Sequence, residues 1–490
     1  MLSECKLSTI LSKSKIISAS QCAKRLYLEV NHPDFAEQGG SIEHLLEMGN
    51  QVGQLARDLH PAGILVDPEQ QLDKSLEQTT ELIRSGINKP IFEATFKCED
   101  VLIKADILHI GKKNELVEVK SATSVKDYYI HDLAIQSWVM EGASVSLNKM
   151  SVAIINSDFV YTKLNQYEGL LETLDLSPSI REMTKKVAGW VKLCKETLSG
   201  DLPNIDMGPQ CLSPFSCPFI KYCQGKQPDY PVHSLPRGGK IAAELYKDGI
   251  QDIRDIPSGR LTNKNHIRVR DVVISGKTFL DSKANIILSE LPYPRYYLDF
   301  ETISFAVPIW LETRPFEALP FQWSCHIESK SGAIKHKEFL DISGDAPMEA
   351  FTDSLIETLG ENGPIIVYSS YERRILNEMS TRFPGKAKKI SAIIERLFDL
   401  LPIARKYYYH PDMHGSWSIK KVLPTIAPEM DYANLEEVHD GTGAQVAYLE
   451  CINTETTKVR RESIHKNLLK YCEWDTLAMV KIAHYFERQS

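Results

Sequence analysis

The hydrophobic and polar residues of this chain follow two periods, one helical and one typical of strands, and together they predict an α/β protein. Residues 41–59 carry apolar side chains at helical spacing, and residues 131–143 read as a second helix. Between them, residues 91–110 and 115–123 form β-branched runs separated by the turn GKKN, which predicts three strands. Residues 150–161 predict a further strand. The first half of the chain is therefore predicted to form a helix–sheet–helix core.

The second half begins after a proline- and glycine-rich stretch, QPDYPVHSLPRGG, at residues 227–239. The residues that follow predict short helices and include the locally basic stretch RLTNKNHIRVR. They form either a helical spacer or a helix-hairpin-helix-like element that contacts backbone phosphate. Residues 295–303 then predict a strand, and residues 468–486 predict a closing helix. The predicted domains are residues 1–225, a helical linker at 226–290, and residues 291–490.

Composition supports a globular protein of two or three domains, because the 490 residues are 43% apolar and 25% charged. No uncharged apolar run is long enough to span a bilayer, and Glu4, Lys6 and Lys13 interrupt the apolar residues that a signal peptide would need. We therefore expect a cytoplasmic protein with no membrane partner. The net charge of −8 neither indicates nor excludes nucleic-acid binding, because a basic groove can be local.

Ten cysteines in a chain expected in the cytoplasm predict a metal, a cluster or buried thiols rather than a disulfide framework. Four of them bracket the first domain. Cys22 lies near its start, and Cys211, Cys217 and Cys223 lie six residues apart near its end. Thiolates drawn from both ends of a segment can close it around a cluster or a metal ion. The other six cysteines are predicted to be core or surface thiols.

An acidic centre is predicted inside this bracketed segment. Asp106 ends an apolar strand, and Glu118 and Lys120 lie two residues apart on the next strand, so that both point to one face. Two carboxylates that face each other across a hairpin can bind Mg²⁺ or Mn²⁺, which lowers the pKa of a bound water. Lys120 would orient that water or stabilise the charge building on a phosphate. Glu93 is either an additional ligand or an acid at a strand edge.

This acidic centre and the four bracketing cysteines together resemble the iron–sulfur RecB/AddB-type nucleases of the PD-(D/E)XK superfamily. The resemblance implies a restriction-endonuclease-like core and a structural [4Fe–4S] cluster on the four cysteines, with zinc on the same four as the alternative. Gln136 falls where RecB-type members carry a glutamine, which adds it to the implied catalytic residues. Many members also carry a histidine ligand on the helix before the strands, and residues 49–57 contain none.

A second acidic centre is predicted in the C-terminal domain. Asp299 and Glu301 share one face of a predicted buried strand, where acids are costly unless they are paired or bind a metal. Tyr471 and Asp475 lie four residues apart and therefore on one helix face. A tyrosyl hydroxyl is a poor base, but it can orient a nucleophile that a metal ion activates. The four residues indicate a metal-dependent hydrolytic site.

A D-x-E pattern on a strand followed by Y-x3-D on a later helix resembles the DEDDy branch of the RNase H-like exonucleases. The family's middle motif is matched by YSSYERRIL, in which Glu372 takes the place of the usual aspartate, and Asp399 is the alternative ligand. The resemblance implies that the four acids hold two metal ions and that Tyr471 aligns water for 3′→5′ cleavage. In the segment GSWSIKKVLP, Lys420 and Lys421 either contact phosphate or are ordinary exposed lysines. Trp417 either stacks on a base or belongs to the core or a lid.

The layout as a whole resembles a bacterial family that joins these two nuclease domains. We expect a metal-dependent nuclease that hydrolyses DNA, at single strands or ends, in repair or in defence against foreign DNA. A helicase or another repair or defence protein is a candidate partner. The alternatives are an RNA-processing 3′→5′ exonuclease, a nucleic-acid-binding module with a decayed N-terminal site, and a zinc-clasped scaffold for a partner nuclease.

Overall fold

The computed structural model describes residues 10–37, 40–225 and 227–488, and these fold into two compact units. The first unit contains the described residues up to Gly225 together with Phe305–Phe316. The second contains the described residues of 227–304 and those from Glu317 onward. The expectation that the chain lacks a signal peptide rests partly on residues 1–9, which lie outside the described residues.

A mixed sheet forms the centre of the first unit. Its strands are β1 Leu11–Ser12, β2 Ile64–Leu65, β3 Ile91–Cys98, β4 Val101–His109, β5 Glu115–Lys120, β6 Lys149–Ile155 and β7 Leu171–Asp175. They lie in the order β2-β3-β4-β5-β6-β7, and β1 pairs in parallel with the start of β4. Strands β3, β4 and β5 are antiparallel neighbours, whereas β6 runs parallel to β5. The strands predicted between residues 91 and 161 are thus confirmed.

The helices of this unit are α1 Lys13–Gln21, α2 Ala23–Asn31, α3 Gly40–Asp58, α4 Leu72–Arg84, α5 Asp127–Gly142, α6 Ser177–Ser199 and α7 Ile220–Gln224. Helix α5 is the one predicted at 131–143, and it makes the crossover between the parallel strands β5 and β6. Its side chains are buried on most sides, with Leu133, Ile135 and Met140 fully inaccessible. This burial fixes the position of its polar residues against β5.

A second sheet forms the centre of the second unit. Its strands are β9 Arg295–Ile303, β10 Leu319–Glu328, β11 Ile334–Leu340, β12 Ile365–Val367 and β13 Leu397–Asp399, in the order β11-β10-β9-β12-β13. Strand β10 is antiparallel to β9 and β11, whereas β12 is parallel to β9 and β13. Two short strands, β8 Phe279–Leu280 and β14 Tyr408–Tyr409, pair separately. Strand β9 lies at the middle of the sheet and is buried almost throughout, so the acids Asp299 and Glu301 that it carries stand among buried apolar side chains.

The helices of the second unit are α8 Gly239–Lys247, α9 Lys264–Ser275, α10 Lys283–Ser289, α11 Met348–Leu359, α12 Tyr371–Arg382, α13 Ala387–Glu395, α14 Leu401–Tyr407, α15 Ile419–Val422, α16 Gly441–Ile452 and α17 Lys458–Arg488. The segment predicted as a helical linker supplies α8, α9 and α10. Its residues Leu245 and Val269 share one hydrophobic core with Tyr297, Ile366 and Phe486. The segment is therefore helical, and it packs as part of the second unit.

Residues 305–316, which the sequence placed in the C-terminal domain, instead pack with the first unit. The Tyr161 amide donates to the Thr313 carbonyl at 3.0 Å, and the Glu312 amide donates to the Tyr161 carbonyl at 2.8 Å. Ala306 also packs in a small core with Val52. Both units are mixed α/β. In the described ranges, every helix is too short or too polar to cross a lipid bilayer.

Candidate active sites

The C-terminal site forms where β9 and α17 lie side by side. Asp299 and Glu301 are two residues apart on β9, and Asp475 comes from α17, one helical turn after Tyr471. One carboxylate oxygen from each of the three acids lies within 4.8 Å of the others. Oxygen ligands this close together could hold Mg²⁺ or Mn²⁺. The D-x-E pattern of β9 and the Y-x3-D pattern of α17 thus contribute to the same site.

Glu301 and Asp475 are buried, Asp299 is partly buried, and the three carboxyl groups repel one another when they are charged. Burial and then repulsion from Asp475 raise the pKa values of Asp299 and Glu301 well above their usual range. Burial also raises the pKa of Asp475 to about 6, although the Tyr432 hydroxyl, the charge of Lys420 and the Tyr471 hydroxyl oppose the rise. A divalent cation would relieve this repulsion, so the donor set fits a metal ion.

Two tyrosines hold Asp475. The Tyr432 hydroxyl donates a hydrogen bond to Asp475 Oδ1, and the Tyr471 hydroxyl also hydrogen-bonds to this carboxyl group. Burial, followed by the charge of Asp475, raises the pKa of both tyrosines far above the usual value, so both hydroxyls stay protonated. Sequence reasoning missed Tyr432, because it lies in a loop 43 residues before Asp475 and no spacing pattern connects the two.

Lys420 brings a positive charge to this site. Its ammonium group lies 5.1 Å from the centroid of the Tyr432 ring and 5.2 Å from that of Tyr471, and it donates to the His439 carbonyl at 2.6 Å. Its charge partly offsets the raised pKa of Glu301. Lys421, the next residue on α15, is exposed. The two lysines of the segment 415–424 therefore have different environments, and only Lys420 faces the acids.

The structure also separates the two candidates for the fourth acid. Glu372 is buried at the start of α12 and lines the same cavity as Asp299, and burial raises its pKa to about 7. Asp399 does not line this cavity. Its Oδ1 atom accepts a hydrogen bond from the Leu401 amide at 2.9 Å, at the start of the following helix. Glu372 itself lies outside the group of three acids whose oxygens come within 4.8 Å.

The acids open into a cavity of about 750 Å³. Its other wall is polar and cationic, and it includes Arg237, Asn263, Asn265, Arg405, Ser416, Ser418 and Lys420. Trp417 also lines the cavity, but it is buried and its indole N–H donates to the Tyr408 carbonyl at 2.8 Å. Of the roles considered for Trp417, the structure favours that of a core residue.

The N-terminal site lies on β4 and β5, next to α5. Asp106 Oδ2 accepts a hydrogen bond from the Val119 amide at 2.7 Å. Lys120 Nζ lies 2.6 Å from Glu118 Oε1, and Gln136 Nε2 donates to Glu118 Oε2 at 2.6 Å. The structure therefore brings Gln136, which was expected only from a resemblance, into direct contact with the acid of the strand.

Two further charged residues complete this site. Lys13, at the start of α1, lies 2.8 Å from Glu118 Oε1 and 3.2 Å from Asp132 Oδ1. Asp132 also lies 2.8 Å from Lys120 Nζ. Sequence reasoning missed both. Asp132 is four residues before Gln136 and so shares its helix face, which is a usable signal. Lys13 is 105 residues from Glu118, and no local pattern could have found it.

The charges of this site shift the pKa values of its two carboxyl groups, Asp106 and Glu118, in opposite directions. Burial disfavours the charge on Glu118, but the ammonium groups of Lys13 and Lys120 outweigh it and lower the pKa of this group. Burial and then the charge of Glu118 raise the pKa of Asp106 to about 7. These opposite pKa shifts favour the charged form of Glu118 and the protonated form of Asp106, and a bound cation would favour the charged form of Asp106.

A cleft of about 570 Å³ gives access to Asp106, Glu118 and Lys120. Glu93 lines it too and lies 3.5 Å from Arg57, so this acid faces the site. Helix α3 contributes Asn50 to the lining, at the part of the chain where the resemblance would place a histidine. Among the described residues, no histidine lines this cleft.

The four bracketing cysteines meet at one end of the first unit. They line a narrow cavity together with Lys24 and Arg25, and all four thiols are free. Gln21 Nε2 fixes the two chain segments to each other by donating to the Gln210 and Phe215 carbonyls at 2.6 and 2.7 Å. Within the described residues, no three of the four sulfur atoms lie mutually within 4.8 Å.

Comparisons with known proteins give a partial match. Residues 296–418 match a family described as a domain of unknown function, DUF2779. This range contains Asp299, Glu301 and Glu372 but neither Tyr471 nor Asp475. No solved structure matches the chain.

Three mycoplasmal relatives are similar to part of the chain. An uncharacterized protein MG366 homolog of Mycoplasma pneumoniae is 28% identical over 46% of this chain and 37% of its own length. The uncharacterized proteins MG366 of Mycoplasma genitalium and UU173 of Ureaplasma parvum are each 27% identical over 41% of this chain, and over 33% and 32% of their own lengths. The chain thus spans about a third of each relative.

Proposed function

We propose that the chain is a metal-dependent nuclease that hydrolyses phosphodiester bonds of DNA, at single strands or ends, and that its C-terminal site carries the hydrolysis. The observation that carries this proposal is the group formed by Asp299, Glu301 and Asp475, with oxygens within 4.8 Å of one another beside Tyr471. When bound, Mg²⁺ or Mn²⁺ supplies an activated water and neutralises charge on the phosphate.

The chain's own residues have separate roles around that phosphate. The acids of β9 and α17 provide the oxygen ligands, with Glu372 as the fourth acid in the cavity. Tyr471 stays protonated, so its hydroxyl orients the attacking water as a hydrogen-bonding partner and does not remove a proton. The charge of Lys420 stabilises the negative charge that builds up on the phosphate oxygens.

The topology of the second unit supports an RNase H-like fold for this site. Numbered in chain order from β9, its strands lie in the order 3-2-1-4-5, with the first three antiparallel and the last two parallel to the first. That is the arrangement typical of RNase H-like sheets. The acids at the centre of β9 and on the closing helix α17 support the proposal, because the DEDDy resemblance implies acids on a strand and on a later helix.

The first unit supports a PD-(D/E)XK-like nuclease core. The antiparallel strands β3, β4 and β5 are followed by α5 and the parallel strand β6, which suits such a core. Asp106, Glu118, Lys120 and Gln136 would form its site, with Mg²⁺ or Mn²⁺ held by Asp106 and Glu118.

The cysteines support a [4Fe–4S] cluster on Cys22, Cys211, Cys217 and Cys223. Tetrahedral zinc with Zn–S bonds near 2.3 Å needs sulfur atoms about 3.8 Å apart. The same four thiolates would have to approach one another that closely to hold zinc, which stays the alternative to the cluster. Lys24 and Arg25 line the same cavity and would balance the negative charge of a thiolate-bound cluster.

One observation favours a second candidate for the first unit, a nucleic-acid-binding module without hydrolysis. Both oxygens of Glu118 already accept hydrogen bonds, Oε1 from Lys13 and Lys120 and Oε2 from Gln136. In that case the first unit binds nucleic acid, and the C-terminal site alone cuts. An RNA substrate remains the alternative for the C-terminal site. The metal ions held by its acids would act on a phosphodiester group, which DNA and RNA both contain.

The test is degradation of end-labelled single-stranded DNA by anaerobically purified full-length protein with Mn²⁺. We expect Asp299→Asn to abolish cleavage, and Lys126→Ala, an exposed matched control for Lys120→Ala, to leave it unchanged. Loss of cleavage in Lys120→Ala as well would assign hydrolysis to both sites, and the label's position gives the polarity. An Asp299→Asn variant that cuts as fast as wild type would contradict the C-terminal assignment. Folded, iron-containing wild type that cuts nothing would contradict the nuclease proposal.

A further inference from the structure

The helical segment 226–290 forms one wall of the cavity that holds the C-terminal acids. Pro236, Arg237, Asn263 and Asn265 come from this segment, and they line the cavity together with Asp299. From the sequence, this segment was predicted to be either a spacer or an element that contacts backbone phosphate. Because its residues line the cavity, they would contact a substrate that is bound there.

The wall is held tightly against the loop that leads to Lys420. Gly415 has a φ of +76°, and a Cβ atom on it would collide with the Ser234 carbonyl, so only glycine fits there. Its amide donates to the Tyr409 hydroxyl at 2.8 Å. On the other side, His266 Nε2 lies 2.9 Å from the Pro236 carbonyl. Arg237 is therefore carried by a well-supported turn.

Arg237 differs from the other arginines of the segment. Three of them form ion pairs within the protein, namely Arg254 with Asp252 at 2.7 Å, Arg260 with Asp248 at 2.8 Å and Arg270 with Asp271 at 2.8 Å. The fourth, Arg268, donates a hydrogen bond to the Arg405 carbonyl at 2.7 Å. The Arg237 side chain lines the cavity and is exposed, and within the part of the chain that the structure describes it has no ion pair and no hydrogen bond. An unpaired guanidinium on the wall of a cavity with several acids is suited to an anionic ligand, and its planar fork matches a phosphate.

We propose that Arg237 and Asn263 bind an internucleotide phosphate next to the one that is cut, so that segment 226–290 is a substrate-binding part of the C-terminal site. This inference rests on the proposed function. Asn263 Oδ1 is occupied by the Asn265 amide at 2.8 Å, which leaves the Asn263 Nδ2 group to donate to a phosphate oxygen. Arg405 lies on the same cavity and adds positive charge. The substrate class is a strand with at least two phosphodiesters, and the backbone chemistry is common to DNA and RNA.

A substrate with one phosphodiester separates this subsite from the chemistry. The p-nitrophenyl ester of thymidine 5′-monophosphate presents a bond to cut but no neighbouring phosphate. We compare its hydrolysis with that of single-stranded DNA and RNA oligomers of one sequence, using full-length wild type, Arg237→Gln, Arg237→Lys and Lys240→Ala with Mn²⁺. Lys240 is an exposed residue of α8 that does not line the cavity, which makes it the matched control.

For Arg237→Gln we expect KM for oligomers to rise roughly tenfold or more, with kcat and ester hydrolysis unchanged. The slope of log KM against log salt should fall by about 0.7, the value for one phosphate contact to a single strand. Arg237→Lys should retain the salt slope, and Lys240→Ala should match wild type. The ratio of the DNA effect to the RNA effect shows which polymer the subsite prefers.

Equal oligomer KM values for Arg237→Gln and Lys240→Ala, with normal ester hydrolysis, would overturn the subsite and leave the proposed function intact. If wild type hydrolyses neither substrate, the proposed function fails, and oligomer binding in EDTA, followed by fluorescence anisotropy, decides the subsite. Weaker binding by Arg237→Gln than by Lys240→Ala would then support it, and equal binding would overturn it. Melting temperatures equal to wild type establish that the variants are folded.

Discussion

At the C-terminal site each acid has a neighbour that moderates its charge, and Tyr432 was the neighbour that the sequence could not indicate. Asp475 receives the hydroxyls of Tyr432 and Tyr471, and Cys472 Sγ lies 3.7 Å from Asp299 Oδ2. Lys420 supplies the nearby cation, with its ammonium group over both tyrosine rings. The geometry of the acids therefore depends also on Tyr432 and Cys472, which belong to neither of the two spacing patterns.

Replacement of Lys420 should lower the catalytic rate strongly and the stability of the fold only slightly. We expect Lys420→Met, which keeps an apolar stem against the tyrosine rings, to lower kcat by roughly tenfold to a hundredfold, because a positive charge near the phosphate is lost. Steady-state hydrolysis of single-stranded DNA with Mn²⁺ measures this. Lys421→Met, one residue along α15 and exposed, is the control and should behave as wild type. Equal activities of the two variants would show that Lys420 has only a structural role.

Among the secondary-structure elements, α1 connects the acidic site of the first unit with its four bracketing cysteines. Lys13, its first residue, contacts Glu118 and Asp132, and Cys22 follows its last residue. A single helix of nine residues, which begins with Lys13, thus connects the acidic site to a ligand of the proposed cluster. Anything that fixes Cys22 against the segment around Cys217 also fixes the direction in which α1 presents Lys13.

Loss of one cluster ligand should therefore affect both the chromophore and the stability of the first unit. We expect Cys217→Ser to lose bound iron and the absorbance at about 400 nm, and to melt at a lower temperature than wild type. Iron analysis and thermal denaturation under anaerobic conditions check this. Cys98→Ser, at a partly buried thiol outside the four, should keep its iron. Unchanged iron and unchanged melting of Cys217→Ser would contradict the structural role.

The elements were predictable from the sequence to the extent that their signals are local. The alternation in β3–β5, the acids two apart on β9 and the tyrosine and acid four apart on α17 follow directly from strand and helix periods. Lys13 and Tyr432 could not be found in this way, because their contacts join distant parts of the chain. The unit of residues 305–316 could not be predicted for the same reason, since their contacts with Tyr161 and Val52 join distant parts of the chain.

At the scale of the whole molecule, the acids that would bind metal at the C-terminal site also lower the stability of the folded protein. Burial and mutual repulsion raise the pKa values of Asp299 and Glu301, so the folded protein without a cation holds unfavourable charge or takes up protons. A bound divalent cation removes this cost, and it stabilises the folded state by about 2.7 kcal/mol when its concentration is a hundred times Kd. Stability should therefore depend on metal through these acids.

The substitution Asp475→Asn separates the cost of repulsion among the acids from the stabilisation by a bound cation. It removes one repelling charge, so we expect its melting temperature without metal to equal or exceed that of wild type, while the rise on adding Mn²⁺ becomes smaller. Glu473→Gln lies two residues away on α17, outside the cavity, and should retain the full rise. Scanning calorimetry of each protein in EDTA and in Mn²⁺ measures both quantities. A full Mn²⁺ effect in Asp475→Asn would mean that this acid is not a ligand, whereas a lower melting temperature in EDTA would mean that its hydrogen bonds with Tyr432 and Tyr471 outweigh the repulsion.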